Sequence, residues 1–158
     1  MIRTMLKKQI ILFASLFMLL FSSTASAANW QWINSNENFG LFFDTESIKF
    51  APIAKGGIDK NIIYVWSRYV YDDAYAFKYP YNGKPSKASV QYRKLNINEE
   101  TITTLEEIWY DFDGNVLGVE GKAKTARVIP GTCGDVIYSA VKEYARIHAE
   151  EIADRSIR

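Results

Sequence analysis

The chain has 158 residues, a formal net charge of +1, and an aromatic-rich composition with four Trp, ten Tyr and nine Phe. That length suits one domain with a real core and leaves no room for two ordinary ones. The near-neutral balance lacks the basic footprint of a nucleic-acid binder, and a single cysteine excludes an internal disulfide.

The N-terminus reads as an export signal. Arg3, Lys7 and Lys8 precede a nearly unbroken apolar run from Gln9 to Phe21. Small residues follow from Ser22 to Ala27, with Ala25 and Ala27 in an A-x-A cleavage pattern. The run falls short of the ~20 residues that a spanning helix needs. We expect cleavage after Ala27, a mature domain over 28–158, and delivery to the periplasm, cell surface or medium. Cleavage removes three basic residues and no acidic ones, which takes the formal charge from +1 to −2. No later apolar run can cross a bilayer, so no transmembrane segment is expected after cleavage. The only cysteine, Cys133, lies far from the apolar run, so no lipid anchor is expected either.

Asn29 to Ile33 alternates Trp30 and Trp32 onto one face and reads as a short strand. After the polar turn Asn34–Asn38, Phe39 to Phe43 is strand-like and stops at Asp44. The Asp44 carboxylate can accept backbone N–H groups two or three residues on, at Glu46 or Ser47, which makes it a turn residue rather than a catalytic one. Ile48 to Phe50 runs into a Pro/Gly loop ending at Gly57.

Asn61 to Tyr71 is the clearest strand. Ile62, Tyr64, Trp66 and Val70 share one face, and Ile63, Val65, Tyr69 and Tyr71 share the other. With both faces apolar, it is expected to be central and covered on both sides.

Asp72 to Lys87 breaks the alternation and interleaves Tyr75, Phe77, Tyr79 and Tyr81 with Lys78, Lys84 and Lys87, with a turn at Asn82-Gly83. Two readings stand for this segment: a binding loop, or a hairpin extension whose aromatics tuck back onto the sheet. As a binding loop, its candidate ligand-binding residues are Tyr75, Phe77, Lys78, Tyr79, Tyr81 and Lys84.

Ser89 to Asn96 resumes a strand, and Asn98 to Glu100 turns it. Ile102, Leu105, Ile108, Trp109 and Phe112 fit a helical stripe, but the β-branched Thr101-Ile-Thr-Thr104 favours a strand, which is the reading adopted. Asp111 to Gly114 turns into a short strand over Val116 to Val119. A charged connection from Lys122 to Ile129, possibly an edge, ends at Pro130-Gly131. Thr132 then caps a helix of about 133–150, with Asp135 at its third position. Ile137, Ala140, Val141, Tyr144, Ala145 and His148 form its apolar face, and the chain beyond Glu150 is expected to fray. The sum is an α+β fold: one antiparallel sheet of about five to six strands packed by a C-terminal helix.

No catalytic constellation assembles from these residues. Asp111-Phe-Asp113-Gly114 puts glycine at position four, not the position six of a calcium loop, and Lys122 stands where a bidentate acid would be needed. Cys133 and His148 are fifteen residues apart on one predicted helix, ~22 Å at 1.5 Å per residue, so they cannot pair there. Cys133 reads as buried or partly buried, with oxidative dimerisation as the alternative. Adjacent Glu106 and Glu107 point to opposite faces of a strand and cannot act as an acid and base. Neither a metal site nor a cofactor is indicated, and the chain is not read as an enzyme.

One ordered set of short motifs carries a resemblance. It comprises Trp30 and Trp32; Phe42-Phe43-Asp44-Thr-Glu-Ser47-Ile48; Val65-Trp66; Tyr110-Asp111-Phe-Asp113-Gly114; and Pro130-Gly131-Thr132 opening a helix. The set resembles the bacterial surface-adhesin protein E family from Trp30 to about Tyr144. The resemblance implies an antiparallel sheet with a C-terminal helix and an exported protein, with host extracellular-matrix glycoproteins as possible partners. Cysteines that many relatives carry are missing here; Asn98 stands about where the first is expected. The resulting expectation is an exported binding module, adhesin-like, and the alternative is a periplasmic accessory or small-ligand-binding domain.

Overall fold

Strand β4 (Ile58–Tyr71) is the longest strand among the described residues, and its two edges organise the sheet. The computed structural model describes residues 28–157, so the expected signal segment over 1–27 lies outside the described residues. One edge of β4 pairs antiparallel along nine residues with β5 (Ala88–Asn96). The other edge is shared. Its C-terminal half pairs with β2 (Phe39–Asp44) and its N-terminal half with β3 (Lys49–Pro52). Between these two strands the chain makes a single 3-10 turn, Thr45–Ser47. The Asp44 carboxylate holds that turn by accepting the Glu46 N–H at 3.1 Å and the Asn29 N–H at 2.8 Å. Asp44 is therefore the turn residue its sequence position implied.

The same device recurs across the sheet. β5 pairs with β6 (Thr101–Tyr110), whose outer edge is divided between β7 (Val116–Glu120) and β8 (Lys124–Arg127). With β1 (Trp30–Ser35) beside β2, eight antiparallel strands occupy six positions. That count exceeds the expected five to six because β3 and β8, read as a short run and a charged connection, complete columns that other strands begin. β6 is a strand, as its β-branched start implies, and a register shift at Tyr92/Arg93 fits it to β5.

Helices cover one face. α1 (Asp73–Lys78) is a short helix inside the segment expected to be a loop, and α2 (Cys133–Ile147) is the expected C-terminal helix. Thr132 caps α2 by accepting the Asp135 N–H at 3.3 Å, and the Asp135 carboxylate accepts the Gly131 N–H at 3.0 Å. The chain does not fray beyond Glu150. It turns at His148 into α3 (Ala149–Ile157), where Ile152 is fully buried and the Phe50 N–H donates to Ser156 Oγ at 2.8 Å. Ile152 with Ala153, the Ser156 hydrogen bond and an Arg155–Glu46 ion pair at 3.2 Å hold this otherwise charged segment.

The core lies between the helices and the sheet. It joins Leu41, Phe43, Ile48, Phe50, Ile63, Val65, Leu95 and Ile102 to Ile137, Tyr138, Val141 and Ala145 of α2. The opposite face carries no helix, so β4 is not covered on both sides as its composition implied. Its exposed flank is shielded by its own rings: Tyr92 stacks on Tyr64 at 5.9 Å and lies 4.9 Å from Trp66. Aromatic side chains large enough to shield each other across neighbouring strands make a second helical layer unnecessary.

Candidate functional site

The segment Asp72–Lys87 sits where the helix-covered face ends. Asp72 caps α1 by accepting the Ala74 N–H at 2.9 Å, and Ala76 is buried beneath it. Beyond α1, Tyr81 and Lys84 exchange two backbone hydrogen bonds of 2.9 Å across Asn82 (φ 48°) and Gly83 (φ 77°). Two successive positive φ values match the twist of a tight hairpin, which explains the Asn-Gly pair.

The six candidate residues divide into three groups. Tyr75 and Tyr81 are clamps. Tyr75 stacks on Tyr71 at 5.3 Å and meets Tyr79 at 4.7 Å. Tyr81 stacks on Trp109 at 5.0 Å, and Trp109 in turn stacks on Tyr71 at 6.2 Å. Gly118 leaves room for this arrangement, since a Cβ there would lie 2.5 Å from the Tyr81 ring. In this respect the aromatics do tuck back onto the sheet.

Phe77, Lys78 and Tyr79 do not. Phe77 is 65% exposed and Tyr79 53%, and Phe77 meets the 44%-exposed Phe112 of the β6–β7 turn at 5.5 Å. Lys78 Nζ sits 5.3 Å over the Tyr79 ring. The exposed rings along this segment, termed the crest, make two separate contacts rather than one stack: Phe77 with Phe112, and Tyr79 with Lys78 and Tyr75. Lys84 stands apart at the exposed hairpin tip.

Sequence reading missed Phe112, whose position in a turn gave no reason to single it out. Lys87, noted in the segment but not among the six candidates, binds Asp73 at 2.5 Å and lies 5.4 Å over the Phe112 ring. Asp111 holds the turn beneath Phe112. Its carboxylate accepts the Asp113 and Asn115 N–H groups at 2.9 and 2.8 Å and the Asn115 side-chain amide at 3.0 Å. Those hydrogen bonds, led by the ones from Asn115, hold the Asp111 carboxyl below its ordinary range.

A polar cluster lies on the helix-covered face. Arg93 Nε donates to the fully buried Ser67 Oγ at 2.8 Å, and its Nη2 donates to Tyr69 OH at 3.4 Å and to Gln91 Oε1. Gln91 passes the chain on to Glu107. Burial lowers the Arg93 pKa from its ordinary value, although Tyr69 and Glu107 act to raise it. The cluster is internally satisfied and acts as a polar cross-brace between β4, β5 and β6.

Cys133 is exposed at the first position of α2, not buried as expected, because α2 turns its apolar face to the sheet only from Val136 onward. His148 lies past the other end of that helix, stacked on Tyr144 at 4.2 Å. Glu106 and Glu107 point to opposite faces: Glu106 pairs with Tyr92 on the open side, and Glu107 with Gln91. Among the described residues no group of three or more His, Cys, Asp or Glu side chains could hold a metal ion, and no helix is long and apolar enough to cross a membrane.

No family model and no curated protein matches the sequence. The chain is similar in structure to protein E of Haemophilus influenzae. One such structure is 20% identical, covers 80% of this chain and 91% of its own, and superposes with a TM-score of 0.49. Protein E from the non-typeable organism is 17% identical over 83% of this chain and 86% of its own, with a TM-score of 0.45. A second crystal form is 16% identical over 78% and 99%, with a TM-score of 0.48. These are structures of the protein whose family the ordered motifs resemble.

Proposed function

We propose that this chain is an exported, non-catalytic binding module of the adhesin-like kind, which meets a macromolecular partner through the crest of Phe77, Tyr79 and Phe112. The crest carries this reading. Phe77 and Tyr79 stay largely in water although Ala76, next to Phe77, is buried, so α1 and its C-cap hold out two rings, of which Tyr79 leans on the anchoring Tyr75. Rigid aromatics offer large contact area at low entropy cost and dominate protein interfaces, and Lys78 adds one positive charge beside them. The family that the ordered motifs resemble implies a matrix glycoprotein as the class of partner.

The test is binding of the protein to a panel of immobilised matrix glycoproteins at low and physiological salt. Removing the whole segment would strip Tyr81 from Trp109 and expose the sheet, so point substitutions are the cleaner probe. Phe77→Ala with Tyr79→Ala is expected to weaken saturable binding at least about tenfold while leaving the thermal melt unchanged. Undiminished binding by that variant, or no binding by the parent above a control protein, overturns the proposal.

A further inference from the structure

On the far side of Phe112 the uncovered sheet face carries a groove of about 370 Å³, lined by Trp30, Arg68, Val90, Tyr110 and Phe112 among others. Arg68 is its centre. It lies on β4 between Phe42 of β2 and Val90 of β5, two apolar neighbours in register. Among the described residues Arg68 enters no ion pair, and its Nε is buried without a hydrogen-bond partner. The contact present is with a π-face: the guanidinium carbon lies 5.9 Å from the Trp30 ring.

The other charges around the groove are committed. Lys87 is held by Asp73, and Asp111, a carboxylate in the lining, is occupied by the N–H groups of its own turn. Asp111 keeps its negative charge in the lining, but among the described residues no carboxylate lies within ion-pair distance of the Arg68 guanidinium. The buried Nε is closed to a ligand in the groove, so a ligand oxygen would be taken by the terminal Nη groups of the guanidinium. A single unmatched fork suits a planar monoanion, whereas a dianion would call for a second free cation. The indole and phenyl walls favour an apolar or aromatic body, and the volume is that of a small-molecule site.

We infer that this groove binds a small carboxylic acid with an apolar or aromatic body, its carboxylate taken by Arg68 and its body lying between Trp30 and Phe112. The site shares Phe112 with the crest but does not depend on the adhesin-like reading. Phenylacetate serves as the probe, titrated into the isotope-labelled protein while the Arg68 Nε–H and Trp30 Nε1–H resonances are followed. Saturable shifts of both are expected. Phenylacetamide, with the ring and no charge, and acetate, with the charge and no ring, are each expected to bind at least about tenfold more weakly. Arg68→Gln is expected to abolish the response, and Tyr79→Ala, which leaves Phe112 in place, to retain it. Equal binding of phenylacetate and phenylacetamide overturns the inference on the parent protein alone, whatever the fate of the variant. It is equally overturned by an Arg68→Gln protein that melts normally and still binds, or by shifts that never saturate.

Discussion

Tyr71 shows what burial does to a single group here. Its ring is stacked between Tyr75 and Trp109, and its hydroxyl shares a 2.9 Å hydrogen bond with the fully buried Ser89. Burial disfavours the phenolate and pushes the Tyr71 pKa well above the ordinary 10, with the Ser89 bond pulling back in part. Burial raises the Tyr69 and Tyr92 values as well. The unfolded chain therefore releases these protons first, near pH 10, while the native state keeps them. The stabilisation is fully present below that pH and is lost as pH rises from about 10 toward the native values, by at most about 1.4 kcal/mol per pH unit per tyrosine. Urea midpoints from pH 7 to 11 should fall steeply above 10. Tyr71→Phe is expected to cost about 1 kcal/mol at pH 7 through the lost hydroxyl bond, and to flatten the alkaline slope. Alternation alone placed Tyr71 on a strand face; its partners come from β5, α1 and β6 and were not legible locally.

At the level of elements, short-range rules worked where a segment's neighbours in sequence are also its neighbours in space. The Asp44 turn, the Asp111 turn and the Thr132 cap are of this kind, because a carboxylate or hydroxyl reaches backbone groups two to four residues away. They failed for α1, whose ring anchor continues through Tyr71 to Trp109 of β6, and for α3, which depends on contacts far away in sequence. A six-residue helix is unstable alone, and α1 persists because Asp72 caps it and Tyr75 is stacked on Tyr71. α3 looks too polar to be held, yet Ile152 is fully buried and Arg155 reaches Glu46 at 3.2 Å. Ile152→Ala is expected to destabilise the protein by about 2–5 kcal/mol, the cost of a core cavity. Ile157→Ala, at a side chain 70% exposed, should change stability by less than about 0.5 kcal/mol. Chemical denaturation of the two variants side by side checks the docking of α3.

Across the whole molecule the sheet is asymmetric in two senses. Its centre, β4 and β5, is paired on both sides, whereas β1, β7 and β8 are edges, and every residue of β8 is exposed. Native-state hydrogen exchange should therefore be slowest in the paired amides of β4 and β5 and fastest in β8; uniform protection across the sheet would contradict this stability gradient. One face carries the helices and the apolar core, and the other is left to aromatics, Arg68 and the groove.

The residues alone determined the strand periods, the turn positions, the start of α2 and the α+β class, because these follow from alternation and from side chains bonding to adjacent backbone. They also marked the aromatic segment that holds the crest. The tertiary structure decided which of its rings are clamps and which are exposed, and which sheet face stays open. It also decided that Arg68, beside aromatics, has no carboxylate within ion-pair distance among the described residues. Each of these depends on register between strands far apart in sequence, and a pairing shift of one residue would turn every such side chain to the opposite face.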